Sequence, residues 1–273
     1  MKSDMAGLLS RLRCGLGLLL AACLVTASAT QWPQAEPSVR QVLAPSGQLR
    51  VGLYPGTPTS ILPDAGPGGA RGVGHDLGRE FARRLGIPFE PVIFPSNAAL
   101  LEALKAGRVD VGFTNASTQR ALDFDFTQPY LEIELGYLVR PGSDIATPAE
   151  VDRPGVRVGV TAKSSSDATL SRDLKQTSIV RAATVKAGQG LLAAGEIDVY
   201  ATNKSTLFEM SEQLPGSRVL TGRWGVERHA LALPKGREAG LPYARRFIDA
   251  AVAEGLVAAA VARAGLRGTV EAR

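Results

Sequence analysis

Cysteine is almost absent from this sequence: Cys14 and Cys23 are the only two, and both lie within the first 29 residues. The remainder of the chain therefore has no disulfide bond, no thiolate nucleophile and no cysteine ligand for a metal. Histidine is equally scarce, because His75 and His229 are the only two and lie far apart in the chain. That spacing forms no metal-binding motif, so neither a metal nor another cofactor is expected.

Aromatic residues and excess charge are also in short supply. Aromatics make up 5% of the residues, so the core has to be built mainly from Ala, Val, Leu and Ile. The formal net charge is +5, and residues 1–29 carry +2 of it (three basic residues against one acidic), which leaves +3 for the rest. A surplus this small and scattered argues against a nucleic acid as partner.

The first 29 residues have the features of a secretory signal peptide. A basic start precedes an apolar run at residues 14–25, and the ASA triplet at residues 27–29 is typical of a cleavage site. The apolar run is too short to span a bilayer comfortably, which disfavours an uncleaved anchor. The LAAC sequence at residues 20–23 also resembles a lipoprotein box, so a lipid on Cys23 is the alternative to simple cleavage. Both routes predict a periplasmic protein, attached to the membrane only through that lipid.

Strands and helices alternate beyond a predicted linker at residues 30–46. Period-two patterns predict strands at residues 49–53, 89–94 and 109–113, and a helix follows each of the first two. This alternation is typical of an α/β fold, in which helices cover the faces of a parallel sheet.

Two segments of the chain recur in the same order. Residues 50–53 (RVGL) return as residues 157–160 (RVGV), and residues 104–115 return as residues 192–203 with seven of twelve positions identical. Two matched segments in one order indicate two lobes with the same strand–helix–strand plan.

The repeat by itself suggests a binding site. Tyr54, Asn115, Thr161 and Asn203 each follow or end a predicted strand. Ligands of open α/β sheets bind beyond the carboxyl ends of the strands, so these four residues would line one cleft if the lobes face each other. For Tyr54, an ordinary position in a loop is the alternative interpretation.

Three motifs together resemble the polar-amino-acid type of periplasmic solute-binding proteins that serve ABC transporters, the bacterial extracellular solute-binding proteins of family 3. Residues 115–120 read NASTQR, residues 123–130 read DFDFTQPY, and residues 72–77 read GVGHDL. The resemblance extends from about residue 47 to about residue 268.

This resemblance implies a two-lobe periplasmic-binding-protein fold with two hinge crossings between the lobes. Lobe 1 would comprise residues 47–138 and 229–273, and lobe 2 would comprise residues 139–228. Two strand-like runs, at residues 136–140 and 229–233, each end at a Pro/Gly turn and are the expected crossings.

The resemblance also implies contacts to a ligand on lobe 1. Arg120 stands where the family's arginine pairs with the ligand carboxylate, and a planar guanidinium can bind a carboxylate through two hydrogen bonds. Asn115 and Ser117 fall where the family makes further contacts to the same carboxylate. A salt bridge from Arg120 to Asp123 or Asp125 is the competing interpretation.

On lobe 2, the matching turn of the family reads Lys163-Ser164-Ser165. Ser164 and Ser165 would stand at a helix start, where hydroxyls and unpaired N–H groups suit an anion. Lys163 takes the place of a glycine of the family, either as a ligand contact or as a solvated side chain.

Asn203 is the main departure from the family, which usually has an aspartate there that binds the ligand's ammonium group. Asparagine is neutral, and a neutral hydrogen bond is weaker than a charge-assisted one. The sequence therefore predicts that a hydroxy, keto or amide acid is preferred over an ordinary amino acid. That prediction holds unless Asp76, Glu134 or another acid supplies the missing charge.

The expected function is capture of a small carboxylate-bearing ligand, amino-acid-like or an organic acid, for delivery to an ABC transporter permease. A monomer without catalytic residues is expected, because no catalytic triad or pair of carboxylates stands out by spacing. The alternatives are a cyclohexadienyl-dehydratase-like enzyme on the same fold and a periplasmic sensor partner.

Overall fold

The structure is a computed structural model that describes residues 32–62 and 69–270. The predicted signal peptide, with Cys14 and Cys23, lies outside the described residues. Within the described ranges, no helix is both long and apolar enough to cross a membrane.

Eight helices and ten strands are assigned in these ranges. The helices are α1 (Pro37–Leu43), α2 (Val73–Leu85), α3 (Asn97–Lys105), α4 (Ser165–Asp173), α5 (Val185–Ala193), α6 (Lys204–Gln213), α7 (Leu241–Ala253) and α8 (Leu256–Ala264). The strands are β1 (Leu49–Leu53), β2 (Phe89–Ile93), β3 (Val111–Asn115), β4 (Phe124–Phe126), β5 (Leu131–Val139), β6 (Arg157–Thr161), β7 (Ser178–Ala182), β8 (Val199–Asn203), β9 (Arg218–Val219) and β10 (Gly225–Pro234).

The strands form one mixed sheet in the order β2-β1-β3-β10-β5-β8-β6-β7, with β4 on β10 and β9 on β5. At one end, β1 pairs in parallel with β2 and β3. At the other end, β6 pairs in parallel with β7 and β8. We call the half built on β1, β2 and β3 the first lobe and the half built on β6, β7 and β8 the second lobe. This architecture confirms the predicted α/β, two-lobe fold.

Two long antiparallel strands connect the lobes. In β5, residues 131–135 pair with β10, and residues 135–139 pair with β8 of the second lobe. In β10, residues 225–229 pair with β5, and residues 229–232 pair with β3 of the first lobe. Each strand therefore passes from one lobe to the other, which gives the two predicted crossings.

The internal repeat reappears as a pair of equivalent Arg–Asp clusters. In the first lobe, Asp110 accepts hydrogen bonds from the backbone N (2.9 Å), Nε (3.0 Å) and Nη2 (2.7 Å) of Arg50. In the second lobe, Asp198 accepts the same three from Arg157, at 3.0, 2.9 and 3.0 Å. Each aspartate immediately precedes a parallel strand, so the same ion pair fixes the start of β3 and of β8.

Aliphatic side chains fill the core, as the shortage of aromatics predicts. In the second lobe, one face of the sheet buries a cluster around Val158 and Val199, and the other buries a cluster around Tyr200 and Leu207. Burial of apolar surface on both faces is the usual source of stability for a parallel sheet.

Residues 30–46, predicted as a linker, include an ordered helix. Helix α1 buries Leu43, and Ala44 after it is buried as well. The Leu43 side chain lies against Gly240, where a β-carbon would come within 2.5 Å of Leu43 Cδ2. The segment is too short for periodicity to reveal, and its apolar contacts with the turn before α7 decide its structure.

Candidate functional site

A small cavity of about 50 Å³ lies between the two lobes, where strands from both halves of the sheet end. Its polar and charged lining residues are Tyr54, Thr57, Ser96, Asn97, Thr114, Asn115, Arg120, Thr161, Ser164, Ser165, Ser166, Thr202, Asn203, Thr206, Glu227 and His229. The position agrees with the rule that open α/β sheets bind ligands beyond the carboxyl ends of their strands.

The structure brings seven of the eight predicted site residues to this cavity. They are Tyr54, Asn115, Arg120, Thr161, Ser164, Ser165 and Asn203. The eighth, Ser117, lines a neighbouring groove instead, and its Oγ accepts a hydrogen bond from the backbone N of Arg120 at 3.3 Å. Ser117 therefore orients the turn that carries Arg120 without facing the cavity.

Arg120 begins a one-turn 3-10 helix after β3, and its side chain turns back toward the end of that strand. Its Nη1 donates to Thr114 Oγ1 (3.0 Å) and to the carbonyl of Asn115 (2.9 Å). The competing salt bridges do not form, since Asp123 and Asp125 each pair with a lysine.

Burial lowers the pKa of the Arg120 guanidinium, and the negative charge of Glu227 opposes that effect. Arginine stays protonated even when its pKa is depressed, so the site keeps a positive charge. Among the described residues no carboxylate forms an ion pair with Arg120, and this guanidinium can therefore receive an anionic group.

Tyr54 follows β1 and is held by its backbone N–H, which donates to Ser60 Oγ at 2.8 Å. Burial, together with the charge of Glu227, raises the pKa of the phenol to about 12. At neutral pH the hydroxyl stays protonated, so Tyr54 offers the cavity a hydrogen-bond donor beside an aromatic face.

Two helices of the second lobe begin at the cavity. Ser164 is the N-cap of α4, and its Oγ accepts from the backbone N of Asp167 at 3.1 Å. Asn203 is the N-cap of α6, and its Oδ1 accepts from the backbone N of Thr206 at 3.0 Å. Helix N-termini carry partial positive charge, so this face of the cavity favours an anion.

Sequence reasoning missed Glu227, a buried acidic residue on β10 that lines the cavity. Its Oε1 accepts a hydrogen bond from Ser165 Oγ at 2.6 Å. Its Oε2 lies 3.4 Å from the donor Asn203 Nδ2 and 3.2 Å from His229 Nε2. Burial acts to raise the pKa of Glu227, but His229, Ser165 and the charge of Arg120 outweigh burial and hold it below the usual range.

The acids named from the sequence as replacements for the missing charge lie elsewhere. Asp76 forms an ion pair with Arg263, and Glu134 forms one with Lys204 at 2.6 Å. Glu227 instead supplies a carboxylate beside Asn203, so the neutral asparagine does not leave the cavity without negative charge. The argument for a ligand other than an amino acid thereby loses its premise.

His229 was also read from the sequence as purely structural, but it lines the cavity beside Glu227. The two residues stand two positions apart on β10, so their side chains lie on the same face of the strand. That spacing is the signal by which the pair could have been found. A crossing strand has polar residues on a buried face only where they have partners.

Lys163 is the only non-glycine residue in the described ranges with a left-handed backbone, at φ +59°. Its side chain is exposed and lines the groove at the mouth of the cleft, with Ser117, and not the cavity itself. Its backbone N–H donates to Asp167 Oδ2 at 3.0 Å, which helps to hold the strained turn.

The lobes touch directly across the cavity. Thr206 Oγ1 of the second lobe donates to Thr57 Oγ1 of the first at 2.9 Å, and both residues are buried. Together with the bond from Ser165 to Glu227, this contact describes a closed cleft. A ligand larger than the cavity therefore needs the cleft to open before it can enter.

Comparison with known proteins agrees with this geometry. Among curated proteins, the membrane-bound lytic murein transglycosylase F of Idiomarina loihiensis is 35% identical over 129 residues, which are 46% of this chain and 27% of that protein. The chain thus spans about a quarter of the length of this relative, 27%.

Two solved structures cover most of the chain. One is an amino acid ABC transporter substrate-binding protein of Streptococcus pneumoniae bound to L-arginine, with TM-score 0.73, 18% identity, and 84% of this chain and 99% of that chain covered. The other is AncCDT-1, described as an ancestral amino acid-binding protein and a precursor of cyclohexadienyl dehydratase, with TM-score 0.70, 19% identity, and coverage of 82% and 98%. At these identities the likeness establishes the two-lobe fold.

A sequence match to a whole family goes further. Residues 49–263, which include both lobes and both crossing strands, match the family described as "Bacterial extracellular solute-binding proteins, family 3". The resemblance of the three sequence motifs is thereby confirmed, and the chain belongs to the bacterial extracellular solute-binding proteins of family 3.

Proposed function

We propose that this protein captures a small amino-acid-like carboxylate in the cavity between its lobes and delivers it to the permease of an ABC transporter. The observation that carries the proposal is Arg120, a buried guanidinium at the cavity without an ion-pair partner among the described residues. A buried charge without a partner is costly, so a ligand carboxylate that binds there satisfies the protein as well as the ligand.

Binding would begin on the first lobe and end with closure. The ligand carboxylate meets Arg120 while the cleft is open, and rotation about β5 and β10 then brings up the starts of α4 and α6. For this motion we keep the lobe boundaries of residues 47–138 with 229–273 and of residues 139–228. The closed form, with its contact between Thr57 and Thr206, is the form that the permease would recognise.

A thermal-shift screen of the purified protein tests this proposal. The panel contains amino acids, hydroxy acids, keto acids and dicarboxylates, and a ligand at 100 times its Kd adds about 2.7 kcal/mol of stability. We expect Arg120→Ala to weaken the best ligand by about 2–5 kcal/mol, or at least about 30-fold in Kd, because a buried charge pair is lost.

Arg172→Ala is the matched control, because Arg172 is an exposed arginine that pairs with the adjacent Asp173. It should leave the affinity unchanged. Unchanged affinity in Arg120→Ala, measured with an intact fold by circular dichroism, would show that Arg120 does not hold the ligand.

Periplasmic location, release by simple cleavage and a monomeric state belong to the same proposal. Cleavage after Ala29 gives a free protein, and lipidation at Cys23 gives an anchored one. The mass of the mature N-terminus after expression in a bacterial host distinguishes the two routes, and size-exclusion chromatography reports the oligomeric state.

A second candidate function is elimination of water, as in a cyclohexadienyl dehydratase. The observation that favours it is the contact between Glu227 and His229 at 3.2 Å, a buried acid–base pair that faces the cavity. Such a pair can transfer a proton if a substrate reaches it. Incubation with prephenate or arogenate tests this candidate, and the absence of any product removes it.

A further inference from the structure

We propose that Glu227 is a resident carboxylate that occupies the anion-binding face of the second lobe and so excludes ligands with a second carboxylate. This inference rests on the proposed function, because it concerns the chemical class of ligand that the same cavity accepts. It assigns selectivity to a residue of a crossing strand, where the sequence motifs point to none.

The donors around Glu227 are those that an incoming anion would use. Ser165 Oγ donates to Oε1 at 2.6 Å, and Asn203 Nδ2 lies 3.4 Å from Oε2. Ser165 is the first residue of α4 and Asn203 is the N-cap of α6, so the carboxylate stands before two helix starts. The favourable anion position of the second lobe is therefore filled by the protein itself.

Glu227 is also held from the other side. The Nε2 of His229, on the same strand, lies 3.2 Å from Oε2, and Arg120 of the first lobe adds its positive charge. The carboxylate thus contacts groups of both lobes, and it is buried to 7% exposure. A side chain with this many partners does not swing away at low cost when a ligand arrives.

The charges of the cavity then define what can bind. Arg120 and Glu227 are the arginine and the acid among the described lining residues, and no lysine or second acid joins them there. A ligand carboxylate neutralises Arg120, which leaves the negative charge of Glu227 facing the rest of the ligand. A hydrogen-bond donor or an ammonium group is favoured at that point, and a second carboxylate is repelled.

The test compares ligands that differ in one group. The probes are the twenty standard L-amino acids, their 2-hydroxy analogues, and the dicarboxylates malonate, succinate and glutarate, measured by calorimetric titration of the full protein. We expect the wild type to bind its best amino acid at least about tenfold more tightly than the 2-hydroxy analogue, since a charge-assisted bond is lost. No dicarboxylate should bind as tightly.

Glu227→Gln removes the charge and keeps the shape of the side chain. It should lower the preference for the amino group at least about tenfold and raise the relative affinity for dicarboxylates. Glu132→Gln is the matched control, because Glu132 lies on β5 and pairs with the exposed Arg228. It should leave the ranking of ligands as in the wild type. Glu227→Asp, which retains the charge, should keep the preference.

Three results would overturn the inference. If ligands bind through Arg120 but their ranking is the same in Glu227→Gln, Glu227 does not select among them and the proposed function stands. If the wild type prefers a dicarboxylate, the inference fails without any variant, which covers the case in which Glu227→Gln does not fold. If no probe binds the wild type, the proposed function fails and this inference fails with it.

Discussion

The paired Arg–Asp clusters allow one perturbation to be made twice in the same molecule. Asp110 and Asp198 hold equivalent positions in the repeat, and each accepts three hydrogen bonds from the arginine of a neighbouring strand. They differ in burial, because the Asp110 side chain is 0% exposed and the Asp198 side chain is 15% exposed. Asp110→Asn and Asp198→Asn should therefore destabilise the protein by different amounts.

The acid limb of the stability curve gives the magnitude for Asp198. Its hydrogen bond to Arg157 is the largest factor that lowers the pKa of Asp198, from 3.8 to about 2. A difference of about 1.8 units corresponds to about 2.4 kcal/mol. The partners Arg140 and Arg157 are about two-fifths exposed, at 42% and 41%, so solvent screening reduces this to about 1–2 kcal/mol.

The loss for Asp110→Asn should be larger. A second arginine, Arg237, donates to Asp110 at 2.8 Å, and neither it nor Arg50 is more than 22% exposed. Removing one partner of a buried ion pair costs about 3–5 kcal/mol, because the remaining charges stay buried.

Urea unfolding at neutral pH measures both variants, and a series from pH 5 to pH 2 adds the linkage. A carboxylate with a lowered pKa stabilises the fold above about pH 3.8, and that contribution is lost as the pH falls through about 2. Asp198→Asn should therefore flatten this part of the curve. Equal losses in the two variants, or a larger loss for Asp198→Asn, would refute the reasoning from burial.

Two further perturbations test local packing and backbone strain. In α5, Gly188→Ala would place a methyl 2.2 Å from Cε2 of the buried Tyr200 and should cost about 1–3 kcal/mol. Gly190→Ala in the same helix meets nothing within 4 Å and should stabilise by about 0.5–1 kcal/mol, and thermal unfolding of the pair contradicts this account if both changes have the same sign. Lys163→Gly relieves a φ of +59° and should raise the free energy of unfolding by about 0.5–1 kcal/mol, whereas lower stability with weaker ligand binding would show that the lysine side chain is used.

Much of the fold could be predicted because local pattern and global architecture agree. Strand–helix alternation and the repeat predict two parallel half-sheets, and the crossings are visible as strands that end at Pro/Gly turns. Helix α1 could not be predicted, because it spans seven residues, too few to show a helical period. Its structure depends on contacts with a turn almost 200 residues later in the chain, such as the hydrogen bond from Arg237 to the Leu43 carbonyl.

The site was predictable where position along a strand determines position in space. Tyr54, Thr161 and Asn203 stand at strand ends, and parallel strands bring their carboxyl ends together. Ser117 illustrates the limit of this reasoning, since the direction of a side chain in a turn is set by local hydrogen bonds. There its Oγ accepts from the backbone of Arg120, which draws it away from the cavity.

Glu227 shows a different limit, because the charge of a binding site is a property of the assembled cavity. Asn203 by itself suggests a cleft without an acid on the second lobe, and the inference from one position was sound for that position. A crossing strand then brings Glu227 to 3.4 Å from the same asparagine, from a part of the chain that the motifs do not cover. Neighbours of this kind are fixed by strand pairing, here Glu227 opposite Ile133 and Asn203 opposite Leu135 on one strand, β5. The register of β5 with β8 and β10 therefore decides the ligand class as much as the identity of any contact residue does.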